Sequence, residues 1–108
     1  MHMNLTGRVN VTTPGTPVPL TTDPTATATK IFFQVIPGLT GKTYIGGPAM
    51  NKSTLANVAR VLWPNATGGF SETFSLDAQD GRNSIRLAEY AVDADVAGEG
   101  LLVTYWTE

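Results

Sequence analysis

Apolar residues in this chain recur mostly at every second position, in short runs separated by Gly, Pro, Asn and Asp. From Leu5 to Val11, the residues Leu5, Gly7, Val9 and Val11 alternate with Thr6, Arg8 and Asn10, the period of a half-buried strand. Lys30-Ile31-Phe32-Phe33-Gln34-Val35-Ile36 concentrates β-branched and aromatic side chains and predicts a central strand. Pro37 to Gly41 supplies turn chemistry before Lys42-Thr43-Tyr44-Ile45-Gly46, so these two runs predict a hairpin. Gly46-Gly47-Pro48 is expected to end the second run. Arg60 to Trp63 predicts a short strand that stops at Pro64 to Gly69. Phe70, Glu72 and Phe74 share one parity against Ser71, Thr73 and Ser75, predicting a strand whose apolar face is only partly dry. Leu101 to Trp106 predicts a last strand, inside a sheet.

The remaining segments connect these. Thr12 to Leu20 holds Pro14, Pro17 and Pro19 and precedes the polar run Thr21 to Thr29. Proline cannot donate to a sheet ladder, so this stretch predicts an extended arm or edge. Met50 to Ala59 is the one place where a helical turn competes, with Ser53 as a cap. Ser84 to Val92 mixes alternation with a possible helical turn at Arg86 to Tyr90. Asp77 to Asn83, with Asp80-Gly81 at its centre, predicts a reversal, and Asp93 to Gly100 a final loop. Short strands with turn signals between them predict an all-β fold, a small β-sandwich or jelly roll. The division expected is an N-terminal strand and Pro/Thr-rich arm over residues 1–29 and a sandwich body over 30–108, within one structural domain.

Composition narrows the function. The chain has 108 residues, 15% charged, with seven Lys and Arg and a net charge of −2. That gives no broad positive field, so nucleic acid is not an expected partner. With no cysteine there is neither a disulfide framework nor a thiolate nucleophile. No basic segment followed by an apolar run opens the chain, and no stretch nears the length needed to cross a bilayer. A soluble protein with no membrane partner is therefore expected. The Met1-His2-Met3 opening is expected to be an addition ahead of a start at Met3.

Candidate chemistry is sparse. The single histidine, His2, lies at that opening, which leaves a Ser-His-Asp device without its base. Gly38 to Thr43 ends in Gly-Lys-Thr but lacks phosphate-loop spacing and reads as a turn. Asp93-x-Asp95-x-x-Gly98-Glu99-Gly100 faintly resembles a calcium loop, yet without the remaining ligands it is read as solvated turn residues. Asp77 and Asp80 are read as Asx turns. Arg60, Arg82 and Arg86 are read as solvated or interface arginines. Trp63, Tyr44, Tyr90, Tyr105 and Trp106 can serve either as core and interface anchors or as a platform for sugar rings. The expectation is therefore a protein that is not an enzyme and has no catalytic, metal or cofactor residues. Pro14, Pro17, Pro19, Trp63 and Trp106 are its candidate interface positions.

Tyr44-Ile45-Gly46-Gly47, Met50-Asn51-Lys52, Gly69 to Phe74, Leu87 to Asp95 and Gly98 to Tyr105 together resemble small virion proteins of tailed bacteriophages, over about residues 28–106. The ending VDADVAGEGLLVTYW is the most specific part. The resemblance implies a capsid decoration or cement protein, or a head-fibre module, on the virion surface. Its partner would be the major capsid protein, and it would form a homo-oligomer, with a trimer favoured. The expectation from another class is a carbohydrate-binding β-sandwich module of a fibre.

Overall fold

The computed structural model describes residues 2–64, 72–79 and 82–107. It is all-β, with no α-helix among those residues. The strands are β1 (His2–Asn10), β2 (Val18–Pro19), β3 (Thr27–Ala28), β4 (Lys30–Val35), β5 (Thr43–Asn51), β6 (Ala56–Leu62), β7 (Thr73–Asp77), β8 (Ile85–Arg86), β9 (Ala91–Ala94) and β10 (Gly100–Thr107). A single 3-10 turn, Leu87–Glu89, follows β8.

Two four-stranded antiparallel sheets hold most of the chain, ordered β1-β10-β4-β7 and β2-β9-β5-β6, and β3 with β8 forms a two-stranded ribbon. One apolar core lies between the two large sheets. The first contributes Val9, Ile31, Phe33, Val35, Leu101 and Val103, and the second Ile45, Leu62, Val92 and Ala94. Strict alternation produces this: Ile31, Phe33 and Val35 are buried while Lys30, Phe32 and Gln34 are partly exposed. Phe33 stacks on Phe74 of β7, ring centroids 6.2 Å apart. The Arg60 guanidinium, 5.6 Å from the Phe74 ring, covers the side where β6 and β7 lie at the sheet edges.

The predicted central and final strands are both interior: β4 lies between β10 and β7, and β10 between β1 and β4. Residues before Lys30 belong to the same core, to which Val9, Val11 and Ala28 contribute. The Pro/Thr-rich segment is tethered at both ends, since β1 and β4 flank β10 in one sheet while β2 pairs with β9 of the other.

Several expectations need correction. The Lys30–Ile36 and Lys42–Gly46 runs do not form a hairpin, because β4 and β5 belong to different sheets. Each run has an apolar face, and placing them opposite one another buries both. The Pro37–Gly41 connection crosses the core with Leu39 inside and Gly38 at φ 88°. Nor does Gly46-Gly47-Pro48 end the strand, which continues to Asn51. Gly46 has no side chain because a Cβ there would overlap the Asn57 carbonyl oxygen. Pro48 lies where the β5–β6 register is interrupted, between Gly46 and Asn51. No helix forms over Met50–Ala59, where a lone turn bond from the Leu55 N–H to the Asn51 carbonyl at 2.7 Å is not continued. Asn51 Oδ1 accepts the N–H groups of Ser53 and Thr54, and Leu55 and Asn57 have positive φ, so the segment is a hairpin tip. Asp93 is not in a solvated loop but in β9, fully buried. The expected Pro64–Gly69 turn lies, from Asn65 on, outside the described residues, as do Phe70 and Asp80-Gly81.

Gly100 tests the register of the first sheet, because a Cβ there would overlap the carbonyl oxygen of Val9 on β1. Gly100→Ala is expected to destabilise the protein by about 1–3 kcal/mol. For a domain of this size each kcal/mol lowers Tm by roughly 4–8 °C. Gly47→Ala, whose Cβ would meet nothing nearer than 3.9 Å, should melt close to the native protein. Equal melting temperatures for the two variants would contradict the β1–β10 pairing.

Candidate functional site

Among the described residues there is no cavity or cleft, and no group of three or more His, Cys, Asp or Glu side chains placed to hold a metal ion. The chemistry on offer is therefore distributed over surfaces and over a set of carboxylates near the end of β9.

The calcium-like stretch is taken apart by the fold. Val92 and Ala94 point into the core, so alternation sends Asp93 to the outward face of the second sheet. There Asp93 Oδ1 accepts the Gly15 N–H at 3.0 Å and the Ala94 N–H at 2.8 Å, which fastens the proline-rich segment to β9. Asp93 Oδ2 is buried with no hydrogen-bond partner among the described residues. The same outward face carries a small second cluster of Tyr44, Met50 and Ala91, flanked by Val58 and Val61.

Asp95, also on the Tyr44 side of the sheet, is held by a second segment. Its Oδ1 accepts the Tyr44 hydroxyl at 3.0 Å and the Lys52 ammonium at 3.1 Å. The bond to Lys52 ties the β5–β6 hairpin tip to the loop after β9. Glu99 takes a third direction. It accepts the Thr40 and Gly41 N–H groups and the Thr40 hydroxyl, the shortest contact being 2.9 Å. This closes the β4–β5 connection against the start of β10. Three carboxylates that the sequence places together are thus each occupied by a different segment.

Their titration reflects this. Partial burial pushes the Asp95 carboxyl up, but hydrogen bonds from Lys52 and Tyr44 and the charges of Lys52 and Lys42 outweigh it and hold the group below its ordinary value. Glu99 is likewise pushed up by burial and brought below its ordinary value by the donors of Thr40 and Gly41 and by Arg8. Tyr44 is pushed up to about 12 by burial, then by its bond to Asp95 and the charges of Asp95 and Asp93.

The five candidate interface residues do not meet in one patch. Pro14 and Pro17 are half-buried and Pro19 exposed on β2, which pairs with β9 on the second sheet. Trp63 follows β6 and is 59% exposed, with Lys42 Nζ 4.9 Å from its ring and its backbone N–H donated to Glu72 Oε2. Trp106 is in β10 of the first sheet, half-buried, with Lys30 Nζ 5.4 Å from its ring. The two indoles thus belong to different sheets. Tyr44 is buried, and Tyr90 and Tyr105 pack against the main core. Lys30 also lies 3.9 Å from Asp77, and Arg86 the same distance from Glu89, both exposed pairs. The clips made by Lys52, Thr40 and Gly41 have no signal in the chain, because they join segments far apart in sequence. The outward positions of Phe32 and Leu102 were available from alternation with Phe33 and Leu101.

Comparison with family models, curated proteins and solved structures finds no match to this chain.

Two predictions follow the carboxylates. Folded-state values of Asp95 and Glu99 lie below the ordinary 3.8 and 4.5, so their stabilisation is complete above those values and is lost as pH falls through the folded ones. Tyr44 behaves oppositely: its contribution is complete below pH 10.0 and is lost as pH rises towards about 12. Melting temperature against pH should fall at both ends, with Asp95→Asn plus Glu99→Gln flattening the acid limb and Tyr44→Phe the alkaline one. Separately, Asp93→Ala should speed amide hydrogen exchange at Gly15 while leaving β10 amides protected. Unchanged exchange at Gly15 would contradict the Asp93 clip.

Proposed function

We propose that this chain is a structural virion protein, a capsid decoration or cement protein that binds the outside of a tailed-phage head and stabilises it. On this reading the two sheets form a β-sandwich of jelly-roll type. The observation that carries it is the strand order. Leaving the β3–β8 ribbon aside, β1, β10, β4 and β7 in one sheet face β2, β9, β5 and β6 in the other. The chain therefore passes from one sheet to the other at every step except β5 to β6, which is a hairpin within the second sheet. This order supports reading the wrapping as that of an eight-stranded jelly roll, an architecture used by viral capsid and lectin domains. Fold alone does not assign function. The resemblance of Leu87 to Asp95 and Gly98 to Tyr105 to phage virion proteins supplies the rest.

Work by adhesion fits a protein whose Asp93, Asp95 and Glu99 carboxylates are each engaged by its own connections. The major capsid protein is the proposed partner and the virion surface the location, with homotrimers placed on threefold lattice positions. Repetition over a lattice multiplies contacts that are individually modest. The proline-rich segment, held at both ends, serves on this reading as a stiff contact strip with Thr12, Thr13, Thr16 and Pro19 exposed. A second reading, a carbohydrate-binding module of a phage fibre, is favoured by Trp63, whose exposed indole beside Lys42 can stack on a sugar ring.

Purified protein mixed with undecorated capsids of tailed phages and imaged by cryo-electron microscopy should give added density on the outer lattice of at least one shell. Bare shells throughout, together with glycan-array binding that is lost in Trp63→Ala, would replace the decoration reading with the carbohydrate one.

A further inference from the structure

We propose that residues 12–25 form a strap that opens from β9 as one unit while both sheets stay folded, biased towards opening by the buried carboxylate of Asp93 beneath it. Both ends of the strap are anchored in the framework. Val11, fully buried, donates its N–H to the Glu99 carbonyl and accepts that of Gly98, both at 2.8 Å. At the other end the Leu87 N–H donates to the Ala26 carbonyl at 3.1 Å, and Thr27 and Ala28 pair with Arg86 and Ile85. Between these anchors no residue from Thr12 to Thr25 is buried. The strap meets β9 through the two-residue strand β2 and through the Gly15 N–H on Asp93 Oδ1 at 3.0 Å. Just beyond β2, the Leu20 N–H donates to the Tyr90 carbonyl at 3.0 Å. Val18 and Leu20 pack the strap against the core.

The strap's turns are closed within it and stay with it when it lifts. The Thr16 N–H donates to the Thr13 carbonyl, and Asp23 Oδ1 accepts the N–H and the hydroxyl of Thr25. Pro14, Pro17, Pro19 and Pro24 fix φ at intervals between these turns, so the segment moves as a piece and does not fray residue by residue. Beneath it, Asp93 is fully buried and forms no ion pair among the described residues, while Lys52 binds Asp95. Asp93 Oδ1 has two donors and Oδ2 has none among those residues. Opening gives up the Gly15 bond, keeps the local Ala94 bond and returns the carboxylate to water. Withdrawing a carboxylate from water costs more than one hydrogen bond returns, so the seated strap is biased to lift. The packing of Val18 and Leu20 opposes that bias. Lifting uncovers the outer backbone edge of β9, a strand buried along its whole length when the strap is seated. The strap therefore gates that edge, independent of whether the decoration reading holds.

Amide hydrogen exchange on the full chain at neutral pH separates local opening from global unfolding. Gly15 and Leu20 should share one opening constant, roughly a hundredfold or more above that of Val11 and Thr29, whose N–H groups bond to Glu99 and Trp106 carbonyls at the anchors. Leu20→Ala trims the packing that holds the strap, and should raise exchange at Gly15 about tenfold with Val11 unchanged. Asp93→Asn keeps an acceptor for the Gly15 N–H but removes the charge, and should lower exchange at Leu20 about tenfold. The native chain and Leu20→Ala carry the test of unit opening even where Asp93→Asn does not fold. Exchange of Gly15 and Leu20 in step with Val11 and Thr29 would overturn the inference. So would a Gly15 amide indifferent to Leu20→Ala, or unchanged or faster exchange at Leu20 in folded Asp93→Asn.

Discussion

Everything in this protein depends on two sheets covering one another. Each of the longer strands has one apolar face, and neither sheet can keep that face dry alone. Ile31, Phe33, Val35, Leu101 and Val103 on one side need Ile45, Leu62, Val92 and Ala94 on the other. Burying a side chain of this size contributes about 1.5–3 kcal/mol. In a chain of 108 residues with no cysteine and no described metal cluster, this shared core is the main source of stability. The crossings between sheets follow from the same need, since a hairpin of β4 with β5 would have placed both apolar faces on one sheet.

That constraint also explains what was legible in the sequence. Period-two patterning located β1, β4 and β10 and made the last two interior, because alternation is a local property of the chain. It also implied all-β structure without any partner being known. Pairing was not legible, because the sheet that a strand joins depends on distant residues. Lys30–Ile36 and Lys42–Gly46 show this: turn chemistry between two strands is the same for a hairpin and for a crossing over the core. Gly46-Gly47-Pro48 misled for a related reason. The glycine answers a close approach by the Asn57 carbonyl, and the proline falls at a break in the ladder. Neither fact is visible until β6 is in place.

The carboxylates give the functional counterpart. Asp93, Asp95 and Glu99 look like a ligand set when read along the chain, yet in space they hold the proline-rich segment, the hairpin tip and the β4–β5 connection. Alternation separates Asp93 from its core-facing neighbours, and Asp95 and Glu99 find their donors on the hairpin tip and the β4–β5 connection. These three carboxylates fasten connections to the strand framework, while Lys30, Asp77, Arg86 and Glu89 form exposed pairs on the surface.

The place of β10 has a consequence for how the molecule is made. It is the latest-synthesised of these strands, yet it lies between β1 and β4, and its pairing joins His2 to Thr107. Until it arrives, β1 has no sheet partner and one side of β4 is open. Folding must therefore wait for contacts that span nearly the whole chain, the topology associated with slow assembly. During that wait the open flank of β4 presents Phe32 and Phe33 next to unpaired backbone, a template for another nascent chain. High-level synthesis would thus favour misassembly through this gap, and slower synthesis at lower temperature would favour the native insertion.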